Sequence, residues 1–236
     1  LRGRCGYSAD DPFRVTLRED RLIQPLRWRK PRRIGVCFMG DLFHPDVPLT
    51  FVEKVFDVAC NADQHIYLFL TKRARRMREA VLFAWPGLAV EPHPLPNNIW
   101  LGVSVEDQET ADERIPILLQ IPAAVRWVSY EPALGPVDLK NGDWAPACPR
   151  LSWLHDTLGL IDPRKELVIE PQRGLDWVVA GGESGPGARL ADPDWFRRVR
   201  DQCREAGVPF FMKQMYRKQA IPKDLMVREM PQEASK

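Results

Sequence analysis

The sequence predicts an α/β protein built as a parallel (β/α) barrel or partial TIM-like barrel. Three observations carry that expectation. Short apolar runs, suited to strands buried on both faces, alternate with helical stretches. Nearly every apolar run ends in polar or charged residues, as strands do at the C-terminal face of a barrel. No phosphate-binding fingerprint of the GxGxxG or GxxxxGK(S/T) kind follows the first run, which argues against a doubly wound dinucleotide sheet.

The elements follow in order. Residues 1–31 form a basic, strand-poor N-terminal arm, with a turn at Asp10-Asp11-Pro12, a short extended piece from Phe13 to Leu17, and Pro25 and Pro31 to break any long helix. Ile34 to Met39 reads as the first strand. Thr50 and Glu53 read as a capping box for a helix through Ala59. Ile66 to Leu70 is the second strand, and a basic helix runs from Ala74 to about Trp85. Asn98 to Val105 is the third strand; Asp107 caps a helix to Arg114, and Pro116 starts a further turn to Gln120. Ala124 to Tyr130 is the fourth strand. The Pro-rich stretch 134–173 reads as an insertion, with a small helix near 151–158 and a short strand near 167–169. Trp177 to Ala180 is the fifth strand. Asp192 and Pro193 open a helix that Gly207 closes, and Val208 to Met212 is the sixth strand. The last twenty residues read as a tail. The 236 residues suit one barrel-like domain. The chain opens on Leu1 rather than Met, and an N-terminal segment with one or more further strands is expected upstream.

Composition excludes several classes. The chain is 44% hydrophobic and 28% charged with a net charge of +2, so global charge does not demand nucleic acid. Locally, Arg14 to Arg33 holds eight basic residues against Glu19 and Asp20, which can meet phosphate or form a solvated face. The five cysteines (Cys5, Cys37, Cys60, Cys148 and Cys203) form no CxxC and are odd in number, which points to a reducing compartment. With no run of eighteen apolar residues and no signal-peptide pattern, a cytoplasmic location is expected and no membrane partner. The four histidines have no companion at metal-ligand spacing, so no metal site is assigned.

The candidate site lies at the strand ends. Asp41 and His44, Lys72 and Arg73, Ser104 and Glu106, Glu131, the turn Gly181-Gly182-Glu183-Ser184, and Lys213 converge on one mouth. Period two puts Ser104 with Glu106, Ser129 with Glu131, and Gly181 with Glu183 on common sides. Carboxylates can hold an ammonium while Lys72 or Arg73 holds a carboxylate, so the mouth suits a zwitterion such as the amino-acid part of a ligand. His44 is the general acid/base candidate by its ordinary pKa. The glycines suit a turn whose backbone approaches a ligand closely. Each has a structural alternative: Asp41, Ser104 and Ser184 as helix caps, and Glu106 and Glu131 as partners of Lys72, Arg73 or Arg126.

Met39-Gly-Asp-Leu-Phe-His44, Leu70-Thr-Lys-Arg73, Trp100-Leu-Gly-Val-Ser-Val-Glu106, Ala111-Asp-Glu-Arg-Ile-Pro116, Ser129-Tyr-Glu-Pro132, Gly181 to Arg189, and Pro209-Phe-Phe-Met-Lys-Gln214 together resemble a domain-of-unknown-function family of phage and prophage proteins. The resemblance runs from about Leu1 to Pro231. It implies a radical-SAM-like partial barrel: a [4Fe-4S] cluster on three closely spaced cysteines near the N-terminus, with S-adenosylmethionine on the open iron. Under it, Ser104, Glu106, Gly181, Gly182, Glu183 and Ser184 are cofactor contacts, and Asp41, His44, Lys72, Arg73, Glu131 and Lys213 act on cofactor or substrate. This chain departs from the pattern. No three-cysteine motif stands between Leu1 and Lys236, so cluster and S-adenosylmethionine are expected only of a longer protein. Two alternatives stand beside that reading. One is a nucleic-acid-binding or processing protein, using basic 14–33, 72–78 and Trp28; the other is a catalytically silent barrel serving as an interaction module.

Overall fold

The structure is a computed structural model that describes residues 10–11, 14–89, 93–139 and 174–232. Six strands form one all-parallel sheet: β1 (Arg33–Val36), β2 (Ile66–Thr71), β3 (Ile99–Val105), β4 (Val125–Tyr130), β5 (Trp177–Gly181) and β6 (Phe210–Gln214). Their spatial order equals their chain order, without the reversal that marks a doubly wound sheet. The sheet is curled into a half-barrel. Among the described strands β1 is paired with β2 alone and β6 with β5 alone, so the barrel does not close. The partial form of the expected barrel is the one observed.

After a four-residue helical turn, α1 (Glu19–Leu22), four helices cover the sheet: α2 (Leu49–Asn61), α3 (Ala74–Ala84), α4 (Gln108–Leu119) and α5 (Pro193–Ala206). Two apolar clusters follow from the period of the strands. Phe69, Leu101, Val103, Val128, Tyr130, Val178 and Met212 face the helices and pack with Phe56, Met77, Ile115, Leu118, Phe196 and Val199. The alternate residues Leu68, Trp100, Val125, Trp127, Trp177 and Val179 form a separate cluster on the other, concave face. A sheet apolar on both faces explains the unbroken apolar runs. Gly102 is required on the concave face because a Cβ there would lie 2.4 Å from the Trp127 indole.

The caps differ from the sequence reading in two places. Helix α2 starts at Leu49 behind Pro48, and no side chain caps it, so Thr50 and Glu53 form no capping box. Pro48 presets the entry, and burial of Val52, Phe56 and Ala59 holds the helix. Pro116 does not begin a new turn; it lies inside α4, where buried Ile115, Ile117 and Leu118 outweigh the lost backbone bond. The expected caps at Asp107, Asp192 and Gly207 are present. Asp107 accepts from Thr110 N at 2.9 Å and Gly207 takes φ 66. The piece 14–17 is not a strand. The helix and strand expected within 151–169 lie outside the described residues, as do Cys5 and Cys148.

The C-terminal segment is packed rather than tail-like. Leu225 is buried, Arg228 bridges antiparallel to Phe211, and Met212 N donates to Val227 O at 2.8 Å. This covers the open edge of β6. Asp224 fixes the segment to α5 through Arg197 at 2.8 Å and Arg200 at 3.2 Å. Hydrogen bonding from Arg197 holds the Asp224 carboxyl down at about 2. A depressed carboxyl pKa stabilises the fold above its unfolded value, and that contribution disappears as pH falls through the folded value. Asp224→Asn is therefore expected to lower Tm near neutral pH. The gap from the parent should close as pH falls from about 4 toward about 2, read by scanning calorimetry across that window.

Candidate functional site at the mouth of the half-barrel

Because every strand runs the same way, all six C-terminal ends meet at one rim. Three charged groupings occupy it. The first joins the ends of β1 and β2. Asp41 accepts from Phe43 N at 2.9 Å and from the Thr71 hydroxyl at 3.0 Å, and pairs with Arg73. Thr71 in turn accepts from Arg73 N at 2.9 Å. This set ties the loop after β1 to the start of α3, and Asp41 and Arg73 are spent on each other. His44 sits in the same loop, where its Nδ1 accepts from Asp46 N at 3.2 Å.

The second grouping is buried. Glu106 follows β3, and the capping turn of α4 clamps its backbone: Glu106 N donates to the Thr110 hydroxyl at 2.9 Å and Glu106 O accepts from Leu134 N at 2.8 Å. Its carboxylate pairs with Lys72 and takes a 2.9 Å bond from Arg114. Arg114 also donates to Ser104 O at 2.7 Å. The Glu106 side chain is only 8% exposed, which marks this trio as a fixed part of the wall.

The third grouping is more open. Glu131 at the end of β4 accepts from Lys213 Nζ at 3.0 and 2.8 Å, and from Gln214 Nε2 at 3.1 Å. The peptide between Glu131 and Pro132 is cis. Gly181 lies between the partners, and a Cβ there would meet the Glu131 carboxyl carbon at 3.2 Å. Half of the Lys213 side chain is exposed. Gly182 answers to the chain itself: a Cβ there would lie 2.3 Å from Tyr216 N. Glu183 is held by Arg189, which donates at 3.0 and 3.1 Å and whose backbone N adds 2.9 Å. These bonds bring the exposed Glu183 carboxyl down to about 2. Ser184 is exposed at the tip of this turn.

A family profile described as "Protein of unknown function (DUF5131)" matches residues 4–234. The chain belongs to this family. No curated protein and no solved structure matches it. Membership in DUF5131 therefore supplies no chemistry beyond what the residues themselves show.

The described cysteines of this DUF5131 member do not fit a three-thiolate cluster site. Cys60 lies on α2 and Cys203 is buried on α5, on the helix side, whereas Cys37 is exposed beyond β1. Burial pushes the Cys203 thiol up to about 12, the reverse of a ready metal ligand. Among the described residues no three His, Cys, Asp or Glu side chains group so as to hold a metal ion. No helix among them is long and apolar enough to cross a membrane.

The rim brings together Lys72 with Glu106 and Glu131 with Lys213, but Arg126 is elsewhere. It pairs with Asp176 at 3.5 Å, near the N-terminal ends of β4 and β5. The two basic segments also part company. Residues 27–33 lead into the N-terminal end of β1, whereas Lys72 to Arg78 follow the C-terminal end of β2. Residues 27–33 thus lie at the opposite end of the sheet from Lys72, whereas the earlier part of the basic arm reaches back along α2, where Glu19 pairs with Lys54 at 3.5 Å. Trp28 is a cover: Arg32 stacks on it at 4.6 Å and His65 meets it edge-on at 5.9 Å. Sequence reading missed Arg114, Thr71 and Arg189 as rim partners. For Arg114 a signal existed, because eight residues after Glu106 is two helical turns past the cap.

Proposed function

We propose that the mouth of the half-barrel is the ligand site of an enzyme and takes an amino-acid-like zwitterion at Glu131 and Lys213. The observation that carries this is the pair's position and openness: one partner from β4, one from β6, with glycine on β5 between them. A zwitterion inserted between the two exchanges one ion pair for two, its ammonium on Glu131 and its carboxylate on Lys213, so no charge is stranded. Gln214 orients the carboxylate of Glu131 for that role. Lys72, Glu106 and Arg114 supply a rigid wall.

S-adenosylmethionine carries such a zwitterionic end, and the family resemblance puts it first among ligands to try. The radical chemistry and the phage setting rest on that resemblance alone. Nucleic acid is the weaker reading, since residues 27–33 of the basic arm lie at the opposite end of the sheet from Lys72.

Equilibrium dialysis of S-adenosylmethionine against the 236-residue chain tests the site. Binding is expected, with free methionine competing. Lys213→Met should weaken it about tenfold, the worth of one charge-assisted contact, and Lys213→Arg should retain most of it. Equal binding by the parent and by Lys213→Met, or no competition from methionine, would overturn the assignment.

A further inference from the structure

The turn after β6 has an uncommon backbone. Arg217 (φ 50) and Lys218 (φ 57) are consecutive, and both take the left-handed region that glycine, asparagine and aspartate favour. Hydrogen bonds fix the turn in that shape. Arg217 N donates to Glu183 O at 2.9 Å, Lys218 N to Met215 O at 3.1 Å, and Gln219 N to Tyr216 O at 3.1 Å. Gln219 Nε2 also donates to the Tyr216 hydroxyl at 3.0 Å. Two long cationic residues are thus held where glycine would sit without strain.

The fold makes no use of their charges. Both residues are exposed, and neither side chain has a hydrogen bond or an ion pair among the described residues. The carboxylates of the adjoining elements are already matched, Glu183 by Arg189 at 3.0 Å and Glu131 by Lys213 at 2.8 Å. The turn stands at the lip of the mouth, because Glu183 O holds Arg217 N and Gln214 donates to Glu131 at 3.1 Å. Solvation alone would account for two exposed charges but not for the backbone that carries them. Strain kept at two adjacent residues beside a mouth points to a role for their side chains.

We propose that Arg217 and Lys218 form an anion subsite at the lip of the mouth, for the terminal phosphate of a phosphate monoester. The planar fork of arginine fits two phosphoryl oxygens at once, and lysine adds a point charge. Their Cα atoms are about 3.8 Å apart, so one anion can meet both side chains. A phosphate monoester carries about two negative charges near neutral pH and answers both cations. A carboxylate or a phosphodiester carries one and leaves a cation unanswered. The subsite adjoins the zwitterion site at Glu131 and Lys213 but does not depend on it.

Titration calorimetry on the full chain separates the two, with glycerol phosphate probing the turn and methionine probing the rim. Glycerol phosphate is expected to bind, and dimethyl phosphate to bind more weakly. Arg217→Gly and Lys218→Gly should each weaken glycerol phosphate about tenfold while methionine binding is unchanged. Lys218→Arg, which keeps the charge, should retain most of the affinity. Both glycine variants should keep or gain Tm, because glycine adopts a positive φ without strain. Absence of glycerol phosphate binding, equal affinity in the parent and both glycine variants, or dimethyl phosphate binding as tightly as the monoester would each overturn the subsite. So would a clear fall in Tm for either glycine variant, since the side chains would then serve the fold. Glycerol phosphate binding without methionine binding would sink the rim assignment and leave this subsite standing.

Discussion

Gly182→Ala is expected to destabilise the protein by about 3 kcal/mol, the upper end of overpacking costs. The added Cβ would lie 2.3 Å from Tyr216 N, 2.7 Å from Tyr216 Cα and 2.9 Å from Met215 C. These are backbone atoms, and no rotamer change can move them aside. They are also tied down, since Gly182 N donates to Gln214 O and Gln214 Nε2 donates to Gly182 O, both at 3.0 Å. Relief therefore means shifting the segment after β6, and with it Gln214 and its bond to Glu131. Neighbouring glycines rank below it for physical reasons. At Gly181 the contact is a side-chain carboxyl at 3.2 Å, which can yield. At Gly185 and Gly187 there is open space, and the cost is only the strain of φ 127 and 78, about 1 kcal/mol each. Urea unfolding of the four alanine variants should return Gly182 as the most costly position. The same variant should bind methionine more weakly, because it displaces Gln214. A Gly182→Ala protein as stable as Gly185→Ala would show that residues 215–216 give way freely.

How much of this was legible in the sequence follows the range of the interactions. Strand positions came from local period, and the polar ends of β2, β3, β4 and β6 were visible because a buried strand that stops in charge has reached an edge. The Asp107, Asp192 and Gly207 caps were legible for the same reason, being set within four residues. The glycine turn was legible as special, but not why. Gly182 is required by Tyr216, a contact between residues far apart in the chain, and composition carries no trace of it. The C-terminal segment was misread because its polar residues looked solvated, whereas Asp224 meets Arg197 and Leu225 is wholly buried. The concave face was half visible: Ser104 and Ser129 were placed on the side of Glu106 and Glu131, but their adjacency depends on the β3–β4 register. Pairing register between distant segments is a property of the sheet, and no single segment encodes it.

Arg114→Met is the second large effect, with an expected cost of about 3 kcal/mol, the lower end for removing one partner of a buried ion pair. Arg114 gives Glu106 a 2.9 Å bond and caps Ser104 O at 2.7 Å, and its side chain is 13% exposed. Without it the carboxylate keeps Lys72, and for that reason the cost sits at the lower end. Lys72→Met removes the exposed member, and should cost under about 1 kcal/mol, as surface pairs do. The asymmetry between the two is the test, because a simple count of salt bridges would make them equal. Removing the charge as well should restore stability, since the penalty in Arg114→Met is the stranded carboxylate and not the lost attraction. Glu106→Leu combined with Arg114→Met is thus expected to be more stable than Arg114→Met alone. Chemical denaturation of the three variants decides it. An Arg114→Met protein no less stable than Lys72→Met would show that Glu106 is solvated in solution. The wall beside Ser104 would then be open to water, and the attraction of Glu106 for Lys72 would weaken with it.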